Sequence, residues 1–205
     1  MSSRRLLSTA FLAMSVSASA DTIVTTPTAY SLQAGEFQLD YLSYVKDNSR
    51  WLGSLEFSVG SFIEIRATYE DLPASGRAAS MDVQYGITQP IPEYAPGLAV
   101  GIIDVFDETD RGISPYVAFT SQLNIYSEWA KKERAQFTLG FGIGGIRGLF
   151  LNFYLPVFRG ISLFGEHDTH ARLLGIEVEP AKGLVLRAMS RDSDTLIGIQ
   201  FRRMF

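Results

Sequence analysis

The sequence predicts an all-β fold: a single antiparallel, up-and-down transmembrane β-barrel of about twelve strands, with ten also compatible. Three observations predict it. The chain opens on an export-type leader, it has no apolar run long enough for a spanning helix, and from Gly35 to Phe205 it alternates apolar and polar residues in strand-length segments. Successive side chains of a strand point to opposite faces, so this alternation describes a two-sided sheet. In hydrocarbon every backbone N–H and C=O must be paired internally, and a sheet achieves that only by closing on itself.

The leader comes first. Met1-Ser-Ser-Arg4-Arg5 is a short positive region, residues 6–16 are apolar, and Ala18-Ser19-Ala20 supplies an A-x-A cleavage site. That apolar stretch falls far short of the roughly 20 residues a spanning helix needs. Residues 1–20 are therefore expected to be a cleavable signal peptide, 21–35 a lead-in segment and 36–205 the barrel. The Arg4-Arg5 pair would suit twin-arginine export, but a barrel crosses the inner membrane unfolded, which favours the general secretory route. The expected location is the bacterial outer membrane.

Composition narrows the function classes. With no cysteine, the chain has no disulfide framework, acylated-cysteine anchor, thiolate metal site or cysteine nucleophile. Eighteen Lys and Arg against 22 Asp and Glu give a net charge of -4, so no basic footprint for nucleic acid exists. Mean hydropathy is +0.10, as expected when apolar residues are shared among strands.

The first strand is read over 36–45, with Phe37, Leu39 and Tyr41 on one face and Gln38, Asp40 and Leu42 on the other. In 51–59, Trp51, Gly53, Leu55, Phe57 and Val59 oppose Leu52, Ser54, Glu56 and Ser58. After a Gly60-Ser61 turn, Ile63, Ile65, Ala67 and Tyr69 oppose Glu64, Arg66 and Thr68. Then Ala79, Met81, Val83, Tyr85 and Ile87 oppose Ser80, Asp82, Gln84 and Gly86. The later strands are placed at 97–106, 112–122, 136–144, 148–156, 161–168, 171–179, 184–191 and 195–205. Polar turns at 46–50, 70–76, 107–112, 168–170 and 192–194 alternate with those at 60–61, 89–97, 159–160 and 179–183. Proline cannot donate to a sheet ladder; Pro73, Pro90, Pro92, Pro96 and Pro180 fall in connectors, Pro27 precedes the sheet, and Pro115 and Pro156 fall near strand ends. Residues 124–135, with Trp129 and Lys131-Lys132-Glu133-Arg134, read as the longest connector, solvated and with room for a helical turn.

If the apolar faces meet lipid, the lumen receives Asp40, Glu56, Glu64, Arg66, Asp82, Glu166, Glu177, Arg187 and Arg202. Such a mixed-sign set either lines a water-filled conduit or neutralises itself and fills a narrow barrel. The second reading is favoured. In the last strand Ile197, Ile199, Phe201 and Phe205 share a face, with Arg203 interrupting it. Phe201 and Phe205 are the expected signal for the barrel-insertion machinery, and that machinery and outer-membrane lipid are the expected partners.

Two motifs invite chemistry. Gly140-Phe-Gly-Ile-Gly-Gly145 satisfies G-x-G-x-x-G, but a nucleotide site needs it between a strand and a helix, whereas Leu139, Phe141 and Ile143 keep a strand period. His167-Asp-Thr-His170 holds both histidines and reads as a hairpin tip. A lipid hydrolase would need a serine beside one of them, and Thr169 is the nearest hydroxyl. No catalytic residue, metal site or cofactor is expected.

Several segments together resemble the YjbH-type outer-membrane proteins linked to exopolysaccharide production. Thr26-Pro27-Thr28-Ala29-Tyr30, followed by Leu32 and Gly35, is similar to the T-P-T-A segment that opens those barrels. Val59-Gly60-Ser61-Phe62-Ile63-Glu64-Ile65 resembles their second hairpin. Glu166-His167-Asp168 with Gly175, Pro180 and Gly183-Leu184 resembles their E-Y-D hairpin, with His167 where tyrosine is usual. The resemblance spans most of residues 24–191. It implies a non-enzymatic barrel assisting export or assembly of surface polysaccharide, with polysaccharide or export components as partners. Some members are lipoproteins and larger ones carry a second barrel, neither of which this chain matches. A small porin-like diffusion channel and an outer-membrane lipid hydrolase are the alternatives.

Overall fold

The computed structural model describes residues 25–47, 49–72, 76–109, 112–126 and 133–204. The expected signal peptide, with Ala18 and Ala20, and the terminal Phe205 lie outside the described residues. The rest is a closed barrel of twelve strands, each hydrogen-bonded to its sequence neighbours, with the first and last strands paired. They are β1 (Glu36–Tyr44), β2 (Trp51–Val59), β3 (Ile63–Leu72), β4 (Gly76–Thr88), β5 (Gly97–Ile103), β6 (Ser114–Ile125), β7 (Glu133–Gly142), β8 (Gly148–Phe158), β9 (Ile161–His167), β10 (Arg172–Ala181), β11 (Leu184–Arg191) and β12 (Asp194–Met204). All pairs are antiparallel, and the seam sets Glu36 opposite Met204 and Tyr44 opposite Leu196. Both ends of the described barrel chain therefore lie at one rim, here the near end. The hairpins after β1, β3, β5, β7, β9 and β11 form the far end.

Polarity runs inside out relative to a soluble barrel. Leu39, Leu55, Phe119, Leu139, Leu151, Ile176, Leu186 and Ile199 project outward and are exposed, while Gln38, Glu56, Gln122, Gln136, Asn152, Glu166 and Gln200 are buried inside. An apolar outer band around a polar interior is the surface of a transmembrane barrel. Phe201 belongs to that band, its ring 6.1 Å from that of Phe37 across the seam.

Several strand ends depart from expectation. Residues 124–135 are not the longest connector: β6 runs through Ile125 and β7 begins at Glu133, with Asn124 opposite Arg134 and Ile125 opposite Glu133. The expected helical turn there falls largely on residues outside the described set. The turn expected over 70–76 is narrower too, because Glu70 and Asp71 pair with Ala78 and Arg77, and an Arg77–Asp71 ion pair of 3.1 Å ties the extension together. Both errors have one cause. Where strands leave the hydrocarbon both faces can be polar, so the alternation that marks a strand disappears. In the other direction β5 stops at Ile103, because Asp104 turns the chain with φ 54°. Burial opposes ionisation of the Asp104 carboxyl, but hydrogen bonds from the Thr109 hydroxyl and from the amides of Glu108 and Thr109 outweigh it and hold the group below its ordinary range. Pro156 sits within β8 next to a register shift opposite β9, a place where a missing ladder donor is tolerated.

Candidate functional site: a lumen closed by the lead-in segment

The inward faces of the strands define the space in which the expected charges meet. All nine named charges point into it. Asp40, Glu56, Glu64, Glu166, Glu177 and Arg187 are buried there, and Arg66, Asp82 and Arg202 are partly buried. The contents divide into two walls and a central filling.

One wall is formed by β8–β12 with β1. Here Arg187, contributed by β11, donates to Asp40 at 3.1 Å, to Glu177 at 3.2 Å and to Gln200 at 2.5 Å. Gln38 extends the network by donating to Asp40 at 2.8 Å and accepting from Arg202, whose guanidinium also lies 3.7 Å from Glu36. Toward the far end the same wall turns apolar: Leu42, Tyr44, Tyr154, Phe164, Leu173, Met189 and Leu196 pack together. This interior is packed and tightly paired, as ionised groups require once removed from water.

The opposite wall, β2–β5, carries polar rows that cross the strands in register. Ser54, Thr68 and Ser80 form one row, and Glu56, Arg66 and Asp82 the next. Arg66 donates to Glu56 at 2.8 Å. Beside these rows lies a vestibule of about 60 Å³ at the far end, continuing into a neck of about 20 Å³ that reaches Gln84 and Tyr116. By volume the vestibule holds several waters and the neck about one.

Between the walls runs the lead-in segment. Thr26, Thr28, Ala29, Ser31 and Leu32 are all buried inside the barrel. From Gly35 at the near end the chain climbs the lumen, and side chains of four strands hold its backbone. Glu64 of β3 accepts from the Leu32 amide at 3.0 Å. Thr120 of β6 accepts from the Ala29 amide at 2.7 Å. Asn152 of β8 donates to the Thr26 hydroxyl at 3.0 Å and to the Pro27 carbonyl at 3.3 Å. Near the far end, Glu166 of β9 accepts from the Thr25 amide and hydroxyl and from the Thr26 amide, at 3.0, 2.7 and 3.2 Å. The segment acts as a polar cord whose donors face carboxylates, and it occludes the bore.

The two chemical motifs resolve structurally. Gly140 and Gly142 face inward on β7; a Cβ at Gly140 would sit 2.0 Å from the Phe150 ring and one at Gly142 2.6 Å from the Ile146 carbonyl oxygen, so these glycines make room for an aromatic and for the turn that follows. The motif continues into a hairpin rather than a helix. His167 and His170 flank the β9–β10 turn, their ring nitrogens against the carbonyls of Ala171 and Gly145. Asp168 caps the same turn by accepting from the Ala171 amide at 2.7 Å. This is a turn scaffold, and no serine hydroxyl stands in these contacts.

No protein-family model and no curated protein matches the chain. Among solved structures it is similar to engineered variants of the porin of Rhodopseudomonas blastica. One aligns with a TM-score of 0.37 at 12% identity over 76% of this chain and 56% of the porin. Another gives a TM-score of 0.35 at 11% identity over the same shares. The chain thus spans a little over half the length of the porins it matches.

Proposed function

We propose that this is an outer-membrane barrel that does not conduct, and that it serves as a non-enzymatic accessory in export or assembly of surface polysaccharide. The observation that carries the closed state is the burial of residues 26–29, 31 and 32 inside the bore, held by Glu64, Thr120, Asn152 and Glu166. The accessory role is supported by the resemblance to YjbH-type barrels, whose T-P-T-A segment corresponds here to Thr26-Pro27-Thr28-Ala29. The apolar outer band and the export-type leader support the outer membrane as its location.

Reconstitution into liposomes loaded with small sugars tests the closed state. No solute flux above that of empty liposomes is expected, and flux comparable to a porin control would replace this reading with the diffusion channel. Deletion of the gene in its host should lower surface polysaccharide; unchanged polysaccharide would remove the accessory role.

A further inference from the structure

The vestibule beside the β2–β5 wall, bordered by Thr25 of the lead-in segment, has a chemistry of its own. We infer that it is a blind binding cleft for one end of a neutral or amine-bearing sugar. The row of Ser54, Thr68 and Ser80 hydroxyls presents groups that both donate and accept, and Thr109 and Glu70 border the same space. Deeper, Arg66 Nε and Gln84 Nε2 are buried donors that no acceptor among the described residues meets. Both side chains line the neck. The neck has room for about one water, which would meet these donors and turn its own hydrogen-bonding groups toward a ligand in the vestibule. Leu52 and Ile103 add apolar surface to the vestibule wall, suited to the C–H face of a pyranose.

Charge decides between sugar types. The cleft's walls bring together four carboxylates, Glu56, Glu64, Glu70 and Asp82, with two guanidinium groups, Arg66 and Arg191. The acidic excess repels uronate, sulfate and phosphate and welcomes an ammonium group. Thr25 of the lead-in segment lines both vestibule and neck and Pro27 stands at the foot of the cleft, so a polymer enters by its end and does not thread through. The mouth faces the far end, away from both ends of the barrel chain. This inference deepens the accessory reading and rests on it only for the source of the sugar.

The test uses the full folded protein in a zwitterionic detergent, which offers no sugar headgroup. Glucosamine, glucose, glucuronate and a short hexosamine oligomer are titrated by saturation-transfer NMR and calorimetry. Glucosamine and the oligomer are expected to bind saturably, glucose more weakly, and glucuronate about tenfold more weakly than glucosamine, as opposing charge at close range dictates. Thr68→Val and Ser80→Ala should each weaken glucosamine about fivefold, the loss of one hydrogen bond. Glu70→Gln should narrow the gap to glucuronate, and Ser190→Ala on the outer face should change nothing. Heat-dependent gel mobility verifies that each variant is folded. No saturable sugar binding by protein of native mobility, tightest binding of glucuronate, or indifference to both hydroxyl variants would overturn the cleft. Glucosamine binding alongside normal surface polysaccharide in a deletion strain upholds the cleft and removes the accessory role. A polysaccharide defect without any sugar binding does the reverse.

Discussion

Arg187 and Arg66 each point into the barrel and each meets a carboxylate on a neighbouring strand, yet their settings differ. Arg187 is 5% exposed and spends its donors on Asp40, Glu177 and Gln200, with an apolar cluster above it. Arg66 meets Glu56, leaves Nε without an acceptor among the described residues, and borders both the vestibule and the neck. The β8–β12 wall is finished much as a core is finished, with the Arg187 donors all spent on side-chain acceptors. The β2–β5 wall is left incomplete and wet. A narrow barrel can thus be sealed on one side and receptive on the other, with the lead-in segment dividing the two.

Removing the divider is the largest test of that contrast. Deletion of residues 25–32 should convert a silent bilayer into one showing steady single-channel current, because the segment's bonds to four strands would be replaced by water. Silence after deletion would mean that the two walls meet without it. Next comes Arg187→Ala, which strands two buried carboxylates and is expected to cost about 3–5 kcal/mol in urea unfolding. Arg66→Ala should cost less, about 1–3 kcal/mol, since water entering the cleft can reach Glu56. Equal losses for the two would break the distinction between packed and wet walls. Gly140→Ala should cost a similar 1–3 kcal/mol, roughly the penalty of overpacking, because the added methyl collides with Phe150.

The smallest effect lies at the far rim, over the wet wall. The folded Asp104 carboxyl ionises below its ordinary value of 3.8, so the unfolded loop takes up the proton first as pH falls. Its stabilisation is complete above that value and is lost as pH drops through the lower folded one. Amide exchange at Glu108 and Thr109 should therefore accelerate only below the ordinary carboxylate range. Asp104→Asn should flatten the profile, and protection persisting to still lower pH would contradict it.

Much of this molecule was legible in its sequence, and the illegible parts share a physical reason. The strands β2, β3 and β4 announce themselves because lipid on one side and lumen on the other impose opposite chemistries at every step. The far-end extension of β3, like the β6–β7 ends, escapes that rule, since Glu70, Asp71, Asn124 and Arg134 face water on either side. The lead-in segment escapes it altogether: Thr25-Thr26-Pro27-Thr28-Ala29 has no period, because its partners are side chains of distant strands rather than a ladder. One trace of it was present. Of the nine lumen charges named from the sequence, six are carboxylates, Asp40, Glu56, Glu64, Asp82, Glu166 and Glu177, against Arg66, Arg187 and Arg202, and a buried excess of acceptors demands donors from elsewhere. Glu64 and Glu166 receive them from the Leu32, Thr25 and Thr26 amides.

The seam between β1 and β12 has a consequence for how closure is maintained. Residues 25–32 are continuous with β1, and β1 is locked to the last strand from Glu36–Met204 to Tyr44–Leu196. The segment is therefore a tethered ligand whose receptor is the rest of its own chain, and its effective concentration at that receptor is on the order of millimolar or higher. Dilution cannot release it, and a free peptide of the same sequence would have to compete against that local concentration. The bore opens only if the tether slides out along the barrel axis or the seam itself parts.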